Sequence, residues 1–333
     1  MATTFSSLPI VDLSILSSPS PSSHSLQDLS RKLSDVFTTT GFAYLTNAPL
    51  SFSHGQVFAL AGDFFRLDTA EKLSVAKRTF IRRNKNNYRG YFPTQPDQLD
   101  NLKEGFEIGS VQAPRQRELV GRHQQQLNLT EPNVWPDEYA FPAGREQLET
   151  LHQELQFLST TLLSLLAIAL GKPSDHFASY LTNSLSTLRL LHYPPQPTIR
   201  QTTTATEPKL CCTPHTDSGL LTLLHQDPSG GLEVLNAKEQ WVAAPYVPGS
   251  IVVNIGISWR TGSSSRTDGM GRFSVPFFFE PGEECVVRSV DGGEGIVYGE
   301  YVRRKMDTWV EYQDVPESRA DAGAHRGVVL EVC

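Results

Sequence analysis

The sequence has few cysteines, no long apolar run and no block of basic residues. Its 4 cysteines make neither a disulfide framework nor a zinc-binding spacing, since Cys211 and Cys212 are adjacent and the other two are scattered. No apolar stretch of about 18 residues predicts a transmembrane helix, and the N-terminus lacks the basic and apolar segments of a secretory signal. A net charge of −7 makes nucleic acid and anionic membranes poor partners. We therefore expect a cytoplasmic protein that binds neither.

What the chain does have is enough apolar content for a substantial core, with 39% hydrophobic residues in 333. Apolar positions at helical spacing predict helices over residues 26–37, 57–65 and 146–170. The last carries a leucine stripe and ends before Gly171 and Pro173, which we interpret as core packing of a long helix. Short apolar runs at 8–13 and 41–47 predict strands on either side of the first helix.

The second half changes to short β-type runs separated by turn signals. Eight such runs favour a β-sandwich or a double-stranded β-helix, the jelly roll, and with the helices they make the fold class α+β, mainly β. The predicted strands cover residues 186–193, 209–213, 219–225, 231–235, 240–244, 250–255, 272–279 and 284–290.

The pair His215 and Asp217 is a candidate metal site, followed by an alternating run that predicts a strand. Side chains two apart on a strand point to the same face, so the imidazole and the carboxylate can converge on one ion. They supply two of the three ligands of the two-His-one-carboxylate face that binds non-haem Fe(II) and leaves positions open. Alone the pair is a weak signal, and its neighbourhood must decide.

Several separate stretches, in this order, resemble the isopenicillin N synthase-like branch of the non-haem Fe(II)/2-oxoglutarate-dependent dioxygenases. The resemblance covers about residues 7 to 310. The stretches are Leu8-Pro9-Ile10-Val11-Asp12-Leu13, Gly41-Phe42-Ala43-Tyr44, Asn87-Tyr88-Arg89-Gly90-Tyr91, Lys103-Glu104-Gly105-Phe106-Glu107-Ile108-Gly109, His192-Tyr193-Pro194-Pro195-Gln196-Pro197, the His215/Asp217 pair, Gly230-Gly231-Leu232-Glu233-Val234, Asn254-Ile255-Gly256, Arg272-Phe273-Ser274-Val275-Pro276-Phe277-Phe278-Phe279 and Tyr298-Gly299-Glu300-Tyr301.

The resemblance implies a jelly-roll core with an N-terminal helical region packed outside it and the iron at one mouth of the roll. It implies Fe(II) and the co-substrate 2-oxoglutarate as cofactors, with O2 and a small-molecule substrate, in secondary or catabolic metabolism. We divide the chain into an N-terminal dioxygenase region, a helical segment, the jelly-roll core, a C-terminal helix and a disordered tail, at residues 7–125, 126–183, 184–290, 291–315 and 316–333. The tail is expected because its residues are small, polar and rich in glycine and alanine.

The resemblance also implies roles for particular residues. His215 and Asp217 are the expected iron ligands, and we expect no catalytic residue beyond the metal centre. Arg272 and Ser274 match the family's Arg-x-Ser element and share a strand face, where a guanidinium and a hydroxyl suit the distal carboxylate of 2-oxoglutarate. Tyr193 resembles a tyrosine that reaches the same co-substrate, although the match is partial, and a structural tyrosine at a Pro-Pro turn is an alternative.

Two further histidines are interpreted as structural. His225 is placed by its sequence on the same predicted strand as the metal pair but far along it, ~26 Å from Asp217 at the rise of an extended strand. His192 directly precedes Tyr193 and is expected to point to the opposite face. Cys211 and Cys212 are taken as small buried residues.

The family's third ligand, a histidine shortly before the Arg-x-Ser strand, has no counterpart in this sequence. After Asp217 the only histidines are His225 and His325. The segment from Ile257 to Gly271 is rich in serine and glycine and lacks strand alternation, so a roll strand is expected to be missing. Either the locus encodes a degenerate protein, or the recorded sequence has lost a coding piece at about residues 256–267. We favour the second because the flanking motifs are intact.

Three functions follow from these patterns. The first is an oxidoreductase that couples 2-oxoglutarate decarboxylation to oxidation of a small organic molecule, with iron binding impaired in this chain. The second is a non-catalytic jelly-roll protein that binds a carboxylate ligand through Arg272 and Ser274. The third is an oxidase of the same branch that does not use 2-oxoglutarate. The first two differ in the third iron ligand, and the coding DNA around residues 256–267 distinguishes them.

Overall fold

The architecture is that of a computed structural model, which describes seven stretches of the chain. These are residues 5–95, 103–111, 127–195, 210–255, 258–262, 271–288 and 294–306, with only the backbone described for 210–214 and 258–262. The predicted tail at 316–333 lies outside them, as does part of the predicted C-terminal helix.

The described residues contain five α-helices and two short 3-10 helices. The α-helices are α1 (Ser23–Thr39), α2 (His54–Phe65), α3 (Thr69–Ser74), α4 (Gly144–Ala169) and α5 (Tyr298–Met306). The 3-10 helices are Ser14–Ser17 and Ala178–Leu181. Across the seven described stretches, no helix combines the length and the apolar character that a membrane span requires.

Fourteen strands lie in the same part of the chain. They are β1 (Ile10–Asp12), β2 (Phe42–Thr46), β3 (Gly90–Phe92), β4 (Glu104–Gly109), β5 (Thr187–Tyr193), β6 (Leu210–Thr216), β7 (Leu221–Gln226), β8 (Leu232–Leu235), β9 (Trp241–Ala243), β10 (Ile251–Asn254), β11 (Ser258–Gly262), β12 (Arg272–Phe279), β13 (Val286–Val287) and β14 (Ile296–Val297).

Two sheets form the jelly roll. The main sheet has eight strands in the order β1-β2-β10-β7-β12-β5-β4-β3, and the second has four in the order β6-β11-β8-β9. All their pairings are antiparallel except that of β1 with β2. A buried apolar cluster joins the inner faces, with Leu224 and Val252 from the main sheet and Leu232 and Val234 from the second. The jelly-roll prediction is confirmed.

The outer face of the main sheet packs against the helices. Leu223, Val275 and Phe277 belong to a second apolar cluster together with residues of α1, α2 and α4. The leucine stripe of α4 is buried in this cluster, as its spacing predicted. Because side chains alternate along a strand, the residues of β7 and β12 that come directly before and after these three face the interior of the roll.

Helix boundaries follow local capping chemistry. In α2 the hydroxyl of Ser53 accepts from the backbone N–H of Gln56, whose side chain accepts from the N–H of Ser53. In α1 the hydroxyl of Ser22 accepts from the N–H of Ser25. Sequence reasoning predicted α1, α2 and α4 but missed the short helix α3.

Two expectations about the strands are wrong. His225 does not share a strand with the metal pair, because the chain turns over residues 217–220 and passes from β6 in one sheet to β7 in the other. The roll strand expected to be missing is present as β11, which pairs with both β6 and β8. Strand pairing uses backbone groups alone, so a segment without apolar alternation can still fill this place.

Candidate active site

The two candidate iron ligands lie together where β6 ends. Nε2 of His215 is 3.8 Å from Oδ1 of Asp217. The imidazole is 39% exposed and the carboxylate only 3%. The imidazole of His215 is therefore open to solvent, whereas the carboxylate of Asp217 is enclosed by the protein.

Asp217 owes its position to two neighbours that sequence reasoning missed. Its Oδ2 accepts a hydrogen bond from Thr222 Oγ1 at 2.6 Å and another from Asn254 Nδ2 at 3.0 Å. Thr222 and Asn254 are direct partners in the pairing of β7 with β10. With Oδ2 engaged, Oδ1 is the oxygen nearer His215. Hydrogen bonds of this kind to the side chain of a metal ligand fix its orientation.

A lysine from α5 approaches the same turn. Nζ of Lys305 donates to the carbonyl oxygen of Thr216, the residue between the two candidate ligands, at 3.0 Å. Burial lowers the pKa of Lys305, against the opposing effect of the carboxylates of Asp217 and Glu280. Helix α5 is thereby tied to the end of β6, between the two candidate ligands.

Arg272, Ser274 and Tyr193 lie together at the other part of the site. Arg272 and Tyr193 are direct partners in the pairing of β12 with β5, and the guanidinium carbon lies 4.7 Å from the centre of the tyrosine ring. All three side chains are at least 94% buried. Nη1 of Arg272 is buried and has no hydrogen-bond partner among the described residues.

A buried guanidinium with an unused donor indicates an anion site. Leaving a buried charged group without its partner is costly, so such a group is expected to meet one when ligand binds. Ser274 shares the interior face with Arg272 and lies opposite Gln226 of β7. The side-chain amide of Gln226 donates to the carbonyl oxygen of Ala244 at 2.9 Å, and this hydrogen bond fixes the position of the Gln226 side chain beside Ser274.

The two groups of candidate residues lie at different positions along the interior of the roll. We call His215 and Asp217 the metal end, and Arg272, Ser274 and Tyr193 the anion end. Thr222, beneath Asp217, and Gln226, beside Ser274, are both on β7 and four residues apart, which is ~13 Å along a strand. The carboxylate of Asp227 holds the start of β12 by accepting from the backbone N–H of Phe273 at 2.7 Å. The strand that carries Arg272 is therefore fixed relative to β7.

The donor set fits two of the three expected iron positions. No group of three histidine, cysteine, aspartate or glutamate residues that could hold a metal occurs within the seven described stretches. Strand β11 pairs with β6 so that Trp259 is opposite His215, yet its sequence, Ser-Trp-Arg-Thr-Gly, has no metal-ligating side chain. Strand β11 therefore occupies the position next to His215 in the sheet but supplies no third ligand.

Neither His225 nor His192 contributes to the interior site. His225 is buried against His54 of α2, with ring centres 5.0 Å apart, and burial together with His54 lowers its pKa to about 3. His192 stacks on Phe273 at 4.9 Å, and its Nδ1 is 2.7 Å from Glu104 Oε1. Both are on the outer face, as predicted for His192. The side chains of Cys211 and Cys212 lie outside the described part.

Two family models match the chain. One is described as the N-terminal region of a non-haem dioxygenase in morphine synthesis and matches residues 8–138, and the other, the 2OG-Fe(II) oxygenase superfamily, matches residues 184–281. A "2-oxoglutarate-dependent dioxygenase" of Didymella fabae is 33% identical, covering 82% of this chain and 85% of the relative. "Proline hydroxylase buaE" of Petromyces alliaceus is 30% identical, covering 77% and 82%.

Solved structures have the same fold. A full-length Neurospora crassa protein crystallised in complex with alpha-KG and thymine has a TM-score of 0.72 at 23% identity, covering 90% of this chain and 96% of that one. JOX2 in complex with 2OG, Fe and JA has a TM-score of 0.63 at 19% identity, covering 94% and 86%. The chain belongs to the 2OG-Fe(II) oxygenase superfamily. These are enzymes that use Fe(II) and 2-oxoglutarate to oxidise small organic molecules.

Proposed function

We propose that this chain binds 2-oxoglutarate through Arg272, Ser274 and Tyr193, and an iron ion through His215 and Asp217, and oxidises a small organic molecule with O2. Bound iron would supply the redox chemistry with O2. The part of the protein is to hold the distal carboxylate, orient Asp217 and exclude water from the roll.

The observation that carries this proposal is the buried, unpaired Nη1 of Arg272 on the interior face. A guanidinium can bind a carboxylate through two parallel hydrogen bonds, and the hydroxyl of Ser274 can add another. The guanidinium carbon lies 4.7 Å from the centre of the Tyr193 ring, a cation–π contact that helps to hold the group in place. A dicarboxylate with its far end here would extend along the interior face toward Asp217.

Iron affinity is expected to be low. His215 and Asp217 both bind in their deprotonated forms, so affinity also falls in acid. Loss of a group that merely orients a ligand can reduce metal affinity 10–100-fold, and loss of a ligand itself is expected to cost at least as much. The purified chain should therefore contain clearly less than one iron per molecule.

The test measures three quantities on the full chain: iron content, 2-oxoglutarate binding, and succinate release in the presence of excess Fe(II) and ascorbate. The proposal expects low iron content, measurable 2-oxoglutarate binding, and succinate release that rises with added Fe(II). Absence of 2-oxoglutarate binding would refute it.

The second candidate is a non-catalytic protein that binds a carboxylate ligand. The pairing of β11 with β6 without a metal-ligating residue favours it, because the fold is complete where the ligand is absent. In this case 2-oxoglutarate binds but succinate is not released at any Fe(II) concentration. A 2-oxoglutarate-independent oxidase would instead consume O2 with substrate alone.

We also propose a cytoplasmic location and no nucleic-acid partner. The support is the net charge of −7 and the absence of a basic block. Fractionation of cells expressing the full chain tests the location.

A further inference from the structure

A buried hydrogen-bond network lies directly behind the turn that carries Asp217. It joins Glu280, which follows β12, Tyr298, the first residue of α5, and Ser218, the residue after Asp217. Oη of Tyr298 is 2.9 Å from Oε1 of Glu280 and 3.1 Å from the carbonyl oxygen of Ser218. Glu280 and Tyr298 are both at least 96% buried.

The network of Glu280 and Tyr298 contains one proton if Glu280 is ionised and two if it is neutral. Tyr298 keeps its hydroxyl proton, because burial raises its pKa well above the usual range, as does the nearby Glu280. That one proton faces two acceptors if Glu280 is ionised, since a carboxylate can only accept. A protonated Glu280 instead donates to Tyr298, and the tyrosine proton is then available for the carbonyl of Ser218.

The second oxygen of Glu280 supports the neutral form. Oε2 is buried and has no hydrogen-bond partner in the described part of the chain. An unpartnered oxygen is much less costly on a neutral carboxyl than on a buried carboxylate. The hydroxyl of Ser218 is 3.5 Å from Oε1, a contact at the limit of a hydrogen bond.

The charged groups around Glu280 only partly offset its burial. Burial raises its pKa to about 7, while the charges of Arg89, Arg189 and Lys305, and the hydrogen bond that Tyr298 donates to the ionised carboxylate, act in the opposite direction. These cations come from the segment before β3, from β5 and from α5. Two tyrosines, Tyr88 and Tyr301, also face it.

We propose that Glu280 is a positioning residue that is neutral in the folded protein. Its O–H donates to Tyr298, whose hydroxyl donates to the carbonyl of Ser218, and this two-bond chain holds the turn that presents Asp217. The link to metal binding rests on the proposed function of Asp217, whereas the proton chain itself does not.

The pH dependence of thermal unfolding tests the proton chain. A carboxyl whose pKa is raised on folding stabilises the protein below its unfolded value, near 4.5, and loses that contribution as the pH rises to the folded value. Relative to Glu280→Gln, which is neutral throughout, the Tm of the wild type should fall by ~5 °C between pH 5 and 7.5 and then level off. Parallel profiles for the two proteins across this range would overturn the proposal.

Mn(II) binding at pH 6 tests the positioning role. Glu280 is neutral at this pH under the proposal, so Glu280→Gln and Glu280→Leu change no charge. Glu280→Gln can still donate to Tyr298 and should keep wild-type Mn(II) affinity, whereas Glu280→Leu and Tyr298→Phe should weaken it ~10-fold.

Equal Mn(II) affinity in all four folded proteins would overturn the positioning role. If the wild type itself binds no Mn(II), the proposed iron site fails, and the pH profile alone decides whether the proton chain exists. The two failures are thus distinguishable.

Discussion

The two ends of the roll interior differ in completeness. At the anion end, Arg272 and its partner Tyr193 are in place, and the buried Nη1 is ready for a ligand oxygen. At the metal end, Asp217 is positioned by two hydrogen bonds, yet no third protein ligand is described beside His215. The residues proposed for co-substrate binding lie on β12 and β5, whereas the proposed iron ligands lie at the end of β6 and directly after it, so loss of one proposed function need not abolish the other.

The largest effect is expected from removing the charge at the anion end. Arg272→Met leaves the distal carboxylate of 2-oxoglutarate without its cation and should reduce binding ~100-fold or more. Arg272→Lys keeps a charge but loses the bidentate geometry and should retain part of the affinity. Calorimetric titration with 2-oxoglutarate measures both, and an unchanged Arg272→Met would place the anion site elsewhere.

The next effect is a gain at the metal end. Trp259 is the direct partner of His215 in the pairing of β11 with β6, and directly opposed residues lie on the same face of a sheet. Trp259→His should therefore add a third ligand and raise Fe(II) affinity ~10–100-fold.

Arg260→His is the matched control for this gain, since β11 pairs with β8 in regular register and places Trp259 opposite the buried Val234 but Arg260 opposite Glu233. Iron content after dialysis measures both variants. Equal iron content in the two would show that position 259 does not face the metal.

A smaller effect is expected from the support of Asp217. Thr222→Val removes one of the two hydrogen bonds to Oδ2 and should weaken Mn(II) binding ~10-fold. Thr222→Ser keeps the hydroxyl and should stay close to wild type. 2-Oxoglutarate affinity without metal should be unchanged in both, because Arg272 is not altered, and a matching loss there would mean that the two ends are not independent.

A substitution on the outer face of the main sheet, at His225, should have the smallest effect on ligand binding. The pKa of His225 is lowered to about 3 by burial and His54, so stability falls as the pH drops below the unfolded value of 6.5 toward 3. His225→Phe should remove part of this acid sensitivity and leave 2-oxoglutarate affinity unchanged. Thermal unfolding between pH 7 and 4.5 tests it, and a changed 2-oxoglutarate affinity would contradict the assignment of His225 to the outer face.

Patterns local to one element were predictable from the sequence. The leucine stripe predicted α4 to within two residues at its start, and alternation correctly separated the interior Arg272 and Ser274 from the outward Phe273 and Val275. These follow from the fixed periods of helices and strands. The eight short strand runs favoured a β-sandwich or a jelly roll, and the family resemblance selected the jelly roll.

Features that depend on pairing between distant strands were not predictable. Thr222 and Asn254 meet at Asp217 only because β7 and β10 are neighbours in this register. Strand β11 has no alternation, so only its two neighbours reveal it. The roles of His215, Asp217, Arg272, Ser274 and Tyr193, and the five predicted divisions of the chain, stay predictions.

The filled place of β11 has a consequence for the cell. A roll that closes without its metal ligand exposes no additional strand edge at that place, so quality-control proteases and chaperones gain no signal from it. Such a chain would accumulate at a level set by the stability of its fold. The abundance of the protein in the cell would then depend on its folding and would not indicate whether it is catalytically active.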